Sequence, residues 1–306
     1  MGIVDLFLMA AKKIMKNEYF LKTGDTIGVC APSARFDLQK FNAGVKVLEG
    51  LGYQVKIPEE IFKKKRYLAG DDILRADVVN RLFSDPGTDG IICARGGFGA
   101  MRLLNYLDWD LIKKNPKLLI GFSDITAILL SIMDKTDKPV IHGPTVVSIA
   151  GASHETLESF QRTIQGRFDE IEIANGKALK SGKTRGVLKG GNISTISHLL
   201  GTRFQPGFKD TVLFLEDIGE PAYKIDRMLS QMKMAGIFNG IAGVITGAFE
   251  KCDHGEYIEE ILLEIFEDYN IPVITGLDAS HGDINLSLPM GMTIEVDTKT
   301  LTINWN

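Results

Sequence analysis

Histidine and cysteine are scarce in this 306-residue chain, at five and three copies. Cys30, Cys93 and Cys252 are too few and too dispersed for a disulfide framework, and no CxxC occurs. No HExxH occurs either, which removes one large class of zinc hydrolases. Any chemistry that needs an imidazole must draw on His142, His154, His198, His254 or His281. An excess of one charge sign is also missing. With 35 Lys and Arg against 39 Asp and Glu the net charge is −4, and no global basic field invites nucleic acid. No apolar run reaches the roughly 18 residues that a membrane-spanning helix requires. The apolar stretch Ile3–Ala11 is followed by Lys12 and Lys13, the reverse of a secretory signal. The expectation is a cytoplasmic protein with no membrane or nucleic-acid partner, and residues 1–17 read as an N-terminal extension. A composition of 44% hydrophobic and 24% charged residues is that of a soluble globular protein.

What the chain does have is alternation. Strand-like runs at Asp25–Cys30, Tyr53–Pro58, Gly90–Ala94, Lys117–Gly121 and Pro139–Ile141 alternate with helical patterns. Those patterns cover Leu38–Gly50, Ile73–Phe83, a region beginning at Leu103–Leu107, and Asp124–Lys135. Such alternation predicts parallel strands with right-handed crossovers. The fold class is therefore α/β, with an N-terminal doubly wound, mostly parallel sheet of flavodoxin or amidotransferase type. After about Gly151 the character changes. Phe168–Ala178 alternates like an antiparallel strand, and Gly182–Gly191 is glycine-rich and polar, which suits a domain junction or an exposed turn. Strands at Thr211–Leu215, Ile241–Thr246, Val273–Gly276, Met292–Val296 and Leu301–Trp305 then build a smaller C-terminal α/β domain of mixed strands. The division expected is 18–165 for the first domain, 166–185 for a linker region and 186–306 for the second.

The most informative segment is Leu118-Leu119-Ile120-Gly121-Phe122-Ser123-Asp124-Ile125-Thr126. A buried strand runs through Gly121-x-Ser123 straight into a helix, the setting of a nucleophile elbow, although Ile125 stands where GxSxG has glycine. A serine before a helix is equally an N-cap. Ala94-Arg95-Gly96-Gly97-Phe98-Gly99 also follows a buried strand, and its glycines allow close backbone approach. Its spacing fits neither GxGxxG nor a P-loop. Leu215-Glu216-Asp217-Ile218-Gly219-Glu220 closes an apolar strand with three acids, which are costly there unless paired. His281 sits in the small-residue loop Gly276-Leu277-Asp278-Ala279-Ser280-His281-Gly282-Asp283. Serine, acid and imidazole thus each follow a strand end, where ligands collect in open α/β sheets. Cys30 reads as a small buried apolar residue. Cys252-Asp253-His254 lacks a second cluster for a metal. His142, in His142-Gly143-Pro144, follows a strand near the same place and is set aside.

Together these stretches resemble the LD-carboxypeptidases, the serine-peptidase family of muramoyltetrapeptide carboxypeptidases and microcin C self-immunity peptidases. The resemblance rests on Gly24-Asp25-x-Ile27-Gly28-x-x-Ala31-Pro32-Ser33, Arg95-Gly96-Gly97-Phe98-Gly99, Gly121-Phe122-Ser123-Asp124 and Gly190-Gly191-Asn192. It continues through Leu215-Glu216-Asp217, Asp226-Arg227-Met228-Leu229, and His281 ahead of Leu288-Pro289-Met290-Gly291. It implies a triad divided between two domains: Ser123 as nucleophile, His281 as general base and Glu216 as the acid that orients it. Asp217 and Glu220 are rivals for the acid role, and the resemblance favours Glu216, because the family's charge-relay acid is the first of the run after the apolar strand. The resemblance further implies an oxyanion hole from the backbone N–H groups of Gly97 and Asp124, no cofactor, no metal and a homodimer. The implied reaction is release of terminal D-alanine from murein tetrapeptide. Cleavage of an aminoacyl-nucleotide antibiotic is the alternative within the same chemistry, and a non-catalytic two-domain binding protein is the alternative outside it.

Overall fold

A computed structural model describes residues 19–305, so the expected extension at 1–17 lies outside the described residues. The first part alternates strictly. It runs β1 (Thr26–Cys30), α1 (Leu38–Gly50), β2 (Gln54–Lys56), α2 (Asp72–Ser84), β3 (Gly90–Cys93) and α3 (Trp109–Lys114). It continues with β4 (Leu118–Gly121), α4 (Thr126–Thr136), β5 (Val140–His142), α5 (Val146–Ile149) and α6 (His154–Ile164). β3 and β4 are buried along their whole length, as strands covered on both faces must be. Aspartates start the first three helices: Asp37, Asp71 and Asp108 each accept a backbone N–H three residues on. The Asp108 cap also explains why no helix begins at Leu103. That region makes only a 3₁₀ turn, Met101–Leu103, before α3 starts.

The second part contains β6 (Ile171–Glu172), β7 (Lys177–Lys180), β8 (Lys183–Asn192), α7 (Ile193–Leu199), β9 (Thr211–Ile218), α8 (Ala222–Met234) and β10 (Gly243–Glu250). It ends with α9 (Ile258–Phe266), β11 (Val273–Thr275), β12 (Leu288–Met290), β13 (Thr293–Asp297) and β14 (Thr302–Trp305). Two sheets result. The first has order β12-β5-β4-β3-β1-β2 and is parallel except for β12, which pairs antiparallel with β5. The second has order β6-β14-β13-β8-β9-β10-β11-β7, with a parallel centre from β8 to β11 and antiparallel flanks. This is the expected α/β class, one doubly wound sheet beside a mixed one. Phe41, Phe83 and Phe160 are fully buried in the first part, and Phe214, Phe238 and Phe266 in the second.

Three expectations are corrected. Phe168–Ala178 is not one strand: a turn closed by Gly176 N–H on the Ile173 carbonyl, at 2.9 Å, divides it. The resulting β6 and β7 lie on opposite edges of the second sheet, so the segment 166–185 supplies strands as well as a connection. Gly182–Gly191 is no loose junction, because it forms most of the central strand β8. Its glycines mark close approach rather than freedom. A Cβ on Gly190 would overlap the Phe214 carbonyl, and one on Gly186 would stand 2.9 Å from the Asp210 oxygen. Finally, the strand expected to stop at Leu215 runs on to Ile218, so Glu216 and Asp217 lie within β9.

Candidate active site

β4 delivers Gly121 to the carboxyl edge of the first sheet, and Phe122 continues extended. Ser123 then takes φ +63°, a left-handed conformation that few non-glycine residues adopt, before a 3₁₀ turn leads into α4. This is the sharp strand-to-helix turn that the sequence suggested. Its neighbours lack side chains for steric reasons. A Cβ on Gly121 would stand 3.0 Å from the Ile125 side chain, and one on Gly96 would stand 3.0 Å from Ser123 Cβ. Gly97, at φ +107°, carries the loop after β3 past Ser123, where a Cβ would press on Ala34 at 2.8 Å. Gly97, Ser123 and Asp124 line one cleft of about 270 Å³. The Asp124 carboxylate ties three loops together, accepting from the Ser33 hydroxyl at 2.5 Å and the Ala100 N–H at 2.8 Å. Sequence reasoning singled out only its backbone.

The second sheet brings the other groups. Glu216 is fully buried on β9, and its Oε2 lies 2.9 Å from His281 Nδ1. Burial pushes the Glu216 carboxyl above its ordinary range, opposed by the hydrogen bond and charge of His281. The Glu216 Oε1 has no hydrogen-bond partner among the described residues. His281 lies on the segment between β11 and β12, so its loop is anchored in both sheets. Its ring packs on Phe122, centroids 4.8 Å apart, which places the imidazole beside the residue preceding Ser123. Among the described residues no hydrogen bond joins Ser123 to His281.

The rival acids are engaged elsewhere. Asp217, adjacent on the strand and so on the other face, accepts from Asn192 Nδ2 at 2.9 Å and from the Ser194 N–H and hydroxyl at 2.9 and 2.7 Å. It fixes the start of α7. Glu220 pairs with Lys224 at 3.1 Å. Of the three acids, Glu216 alone contacts the histidine. His142 is buried behind the site, against Phe214 and Phe122 at 5.1 and 6.0 Å. Burial, with a further push from His281, drives its pKa down to about 3. The fold also joins two cysteines that are far apart in sequence. Cys30 and Cys93 face each other on β1 and β3 with sulfurs 3.7 Å apart, both buried and free. Among the described residues no group of three or more His, Cys, Asp or Glu is placed to hold a metal, and no helix is long and apolar enough to cross a membrane. A roomier cavity of about 310 Å³, lined by Glu158, Arg162 and Trp305, contains none of these residues. Chemistry, not size, marks the cleft beside Ser123.

A strained serine turn on one α/β sheet and a buried carboxylate–imidazole pair on the next define a class: two-sheet α/β proteins that carry a serine turn and a carboxylate–imidazole pair near the junction of their sheets. The family descriptions "LD-carboxypeptidase N-terminal domain" and "LD-carboxypeptidase C-terminal domain" match residues 27–143 and 185–296. A probable murein peptide carboxypeptidase of Bacillus subtilis is 35% identical over 92% of this chain and 92% of its own. The chain belongs to the LD-carboxypeptidase family. Among solved structures, the microcin C7 self-immunity protein MccF in complex with glutamyl sulfamoyl guanosine superposes with a TM-score of 0.86 at 27% identity, covering 94% of this chain and 97% of that one. The muramoyltetrapeptide carboxypeptidase from Oxalobacter formigenes gives 0.81 at 26% identity, covering 91% and 97%.

Proposed function

We propose that this protein is a cytoplasmic serine LD-carboxypeptidase that releases terminal D-alanine from murein tetrapeptide in cell-wall recycling. The observation that carries the reading is the buried Glu216–His281 pair set against the strained Ser123 turn. With Nδ1–H donated to Glu216, the imidazole keeps Nε2 for the serine proton. Ser123 Oγ attacks the scissile carbonyl while His281 takes that proton, and ionised Glu216 stabilises the resulting imidazolium. The backbone N–H groups of Gly97 and Asp124 receive the developing oxyanion. His281 then protonates the departing amine of D-alanine, and water resolves the acyl-enzyme by the reverse sequence. The murein substrate is supported by the Bacillus and Oxalobacter relatives. A homodimer belongs to the same reading through the family resemblance. The likeness to MccF favours, as a second reading, cleavage of an aminoacyl-nucleotide.

The test is incubation of the purified protein with murein tetrapeptide and, in parallel, an aminoacyl sulfamoyl nucleotide, scoring products by chromatography. D-Alanine release is expected, and Ser123→Ala should lower turnover by about 10⁴-fold or more while leaving the melting curve in place. Turnover retained in Ser123→Ala rejects the serine mechanism. Cleavage of the nucleotide conjugate alone makes the second reading the right one.

A further inference from the structure

Arg75, on the first turn of α2, is only 3% exposed. A guanidinium withdrawn from water is costly unless its donors are used, and Arg75 spends them on two loops at once. Nη1 donates to the Pro32 carbonyl and, at 3.1 Å, to the Gly99 carbonyl, while Nη2 pairs with Asp72 at 2.5 Å. Pro32 follows β1 and Gly99 follows β3. The next residue of each loop is held from the other side by Asp124, through the Ser33 hydroxyl and the Ala100 N–H. The two loops are therefore gripped at consecutive residues, their carbonyls by a buried cation and their donors by a carboxylate. A bond from the Ala34 N–H to the Gly96 carbonyl, at 3.3 Å, joins them a third time. Asp72 extends the brace to Arg102, just beyond the second loop, at 3.0 and 2.5 Å. The fit is close, since a Cβ on Gly99 would stand 2.9 Å from Arg75 Nη1.

We propose that Arg75 is a positioning residue for the oxyanion hole, setting the direction of the Gly97 N–H against that of Asp124. This rests on the reading of Ser123 as nucleophile with those two N–H groups as donors. The Gly97 N–H and the Gly96 carbonyl belong to one planar peptide, so the bond from Ala34 fixes the donor as well. Ala34 is in turn placed by Pro32, two residues back, whose carbonyl Arg75 holds. Gly99 is held directly on the far side of the donor. Gly96, Gly97 and Gly99 cannot supply this order themselves, because glycine is the residue least restricted in φ and ψ. An oxyanion hole works only when its donors are aimed before charge develops, so a glycine loop needs an outside brace. Arg75 does not line the cleft beside Ser123 and acts through these loops alone.

The test compares two tetrapeptides that differ only in the scissile carbonyl, oxygen in one and sulfur in the other. Sulfur accepts weakly from N–H, so the thioamide draws little from the oxyanion donors. The wild-type protein is expected to favour the oxygen peptide by about 10²-fold or more in kcat/KM. Arg75→Met should lower kcat on that peptide about tenfold, hold KM within about twofold and cut the oxygen preference about tenfold. Both peptides are read on one sample, so a loss of folded protein leaves the ratio unmoved. Arg81→Met, which strips the same helix of its pairs with Glu60 and Asp77, should cost stability and keep the preference. Should Arg75→Met not fold, Arg75→Lys decides: it keeps the charge without the planar fork, and the preference should fall at least about threefold. An unchanged preference in the deciding variant, a rise in KM at constant kcat, or failure of both variants to fold shows a merely structural residue and overturns the proposal. Wild-type protein that cuts both peptides equally refutes the oxyanion role and leaves the carboxypeptidase reading standing. Failure to cut either refutes both.

Discussion

A buried histidine with neither ring nitrogen hydrogen-bonded is a costly residue, and among the described residues His142 finds no partner for either. Its ring fills the space between Phe214 on β9 and Phe122 beside the serine turn, so it backs the aromatic surface on which His281 rests. Only the neutral form fits there. Phe122 and Phe214 offer no charge to balance an imidazolium, and His281, the ionisable group acting on it, opposes one. With a folded pKa of about 3 against an ordinary value of about 6.5, the native state binds fewer protons than the unfolded chain between those limits. The stabilising contribution is therefore complete above about pH 6.5 and is lost as pH falls toward 3. Between pH 6.5 and pH 5 the loss is about 2 kcal/mol. His142→Phe removes this titration, so its urea midpoint should fall less than that of the wild type when pH drops from 7 to 5. Parallel declines would mean that the ring is not excluded from charging. The sequence placed His142 near the site but could not tell a ring facing substrate from one facing phenylalanines.

The loop after β3 makes the next scale testable. Gly97 has both a left-handed φ and no room for a Cβ, because Ala34 stands 2.8 Å from where it would be. Gly97→Ala should shift the candidate oxyanion donor and lower kcat by about 10²-fold, with a modest drop in Tm. Gly24→Ala is the comparison: its φ of +98° is strained too, but nothing lies within 4 Å, so stability should fall and kcat should hold. Equal kcat losses would sink the assignment. Elements with local signals were legible in sequence. α1 spans the expected Leu38–Gly50 because an aspartate caps it, and β3 and β4 read as strands because every residue is apolar or small and buried. β8 was misread because glycine serves turns and tight packing alike, and only the neighbouring strand distinguishes them. β9 was cut short because acids within a strand look unfavourable until His281, Asn192 and Ser194 are seen to pair them. Nothing in Leu288–Met290 announces that it crosses back to the first sheet. The strand-to-helix serine was legible from its own segment, whereas the choice of Glu216 over Asp217 needed the family resemblance.

The whole molecule is the frame that sets the serine against the histidine, and the contact between halves is tight where it counts. β12 returns from the second part to pair with β5, and an ion pair joins the buried Lys189 on β8 to Asp134 at the surface of α4. The closest fit is at the start of α4. Thr126 Oγ1 accepts the Asn192 N–H at 3.2 Å and stands 2.5 Å from where a Cβ on Gly191 would be. A methyl group at Gly191 must push α4, and with it the Ser123 turn, away from β8 and β9. A misplacement of about 1 Å costs on the order of 100-fold in rate, so Gly191→Ala should lose about that much kcat, along with stability because φ is +139°. Removing the obstructing side chain should separate the two effects. In Gly191→Ala with Thr126→Ala, the overlap is gone and the backbone strain remains, so kcat should recover more than Tm does. The single Thr126→Ala variant supplies the third corner of the cycle and Gly255→Ala, in open space, a control for the substitution itself. If the kcat losses of the single variants simply add in the double, the contact between Gly191 and Thr126 is not what aligns the two parts of the site.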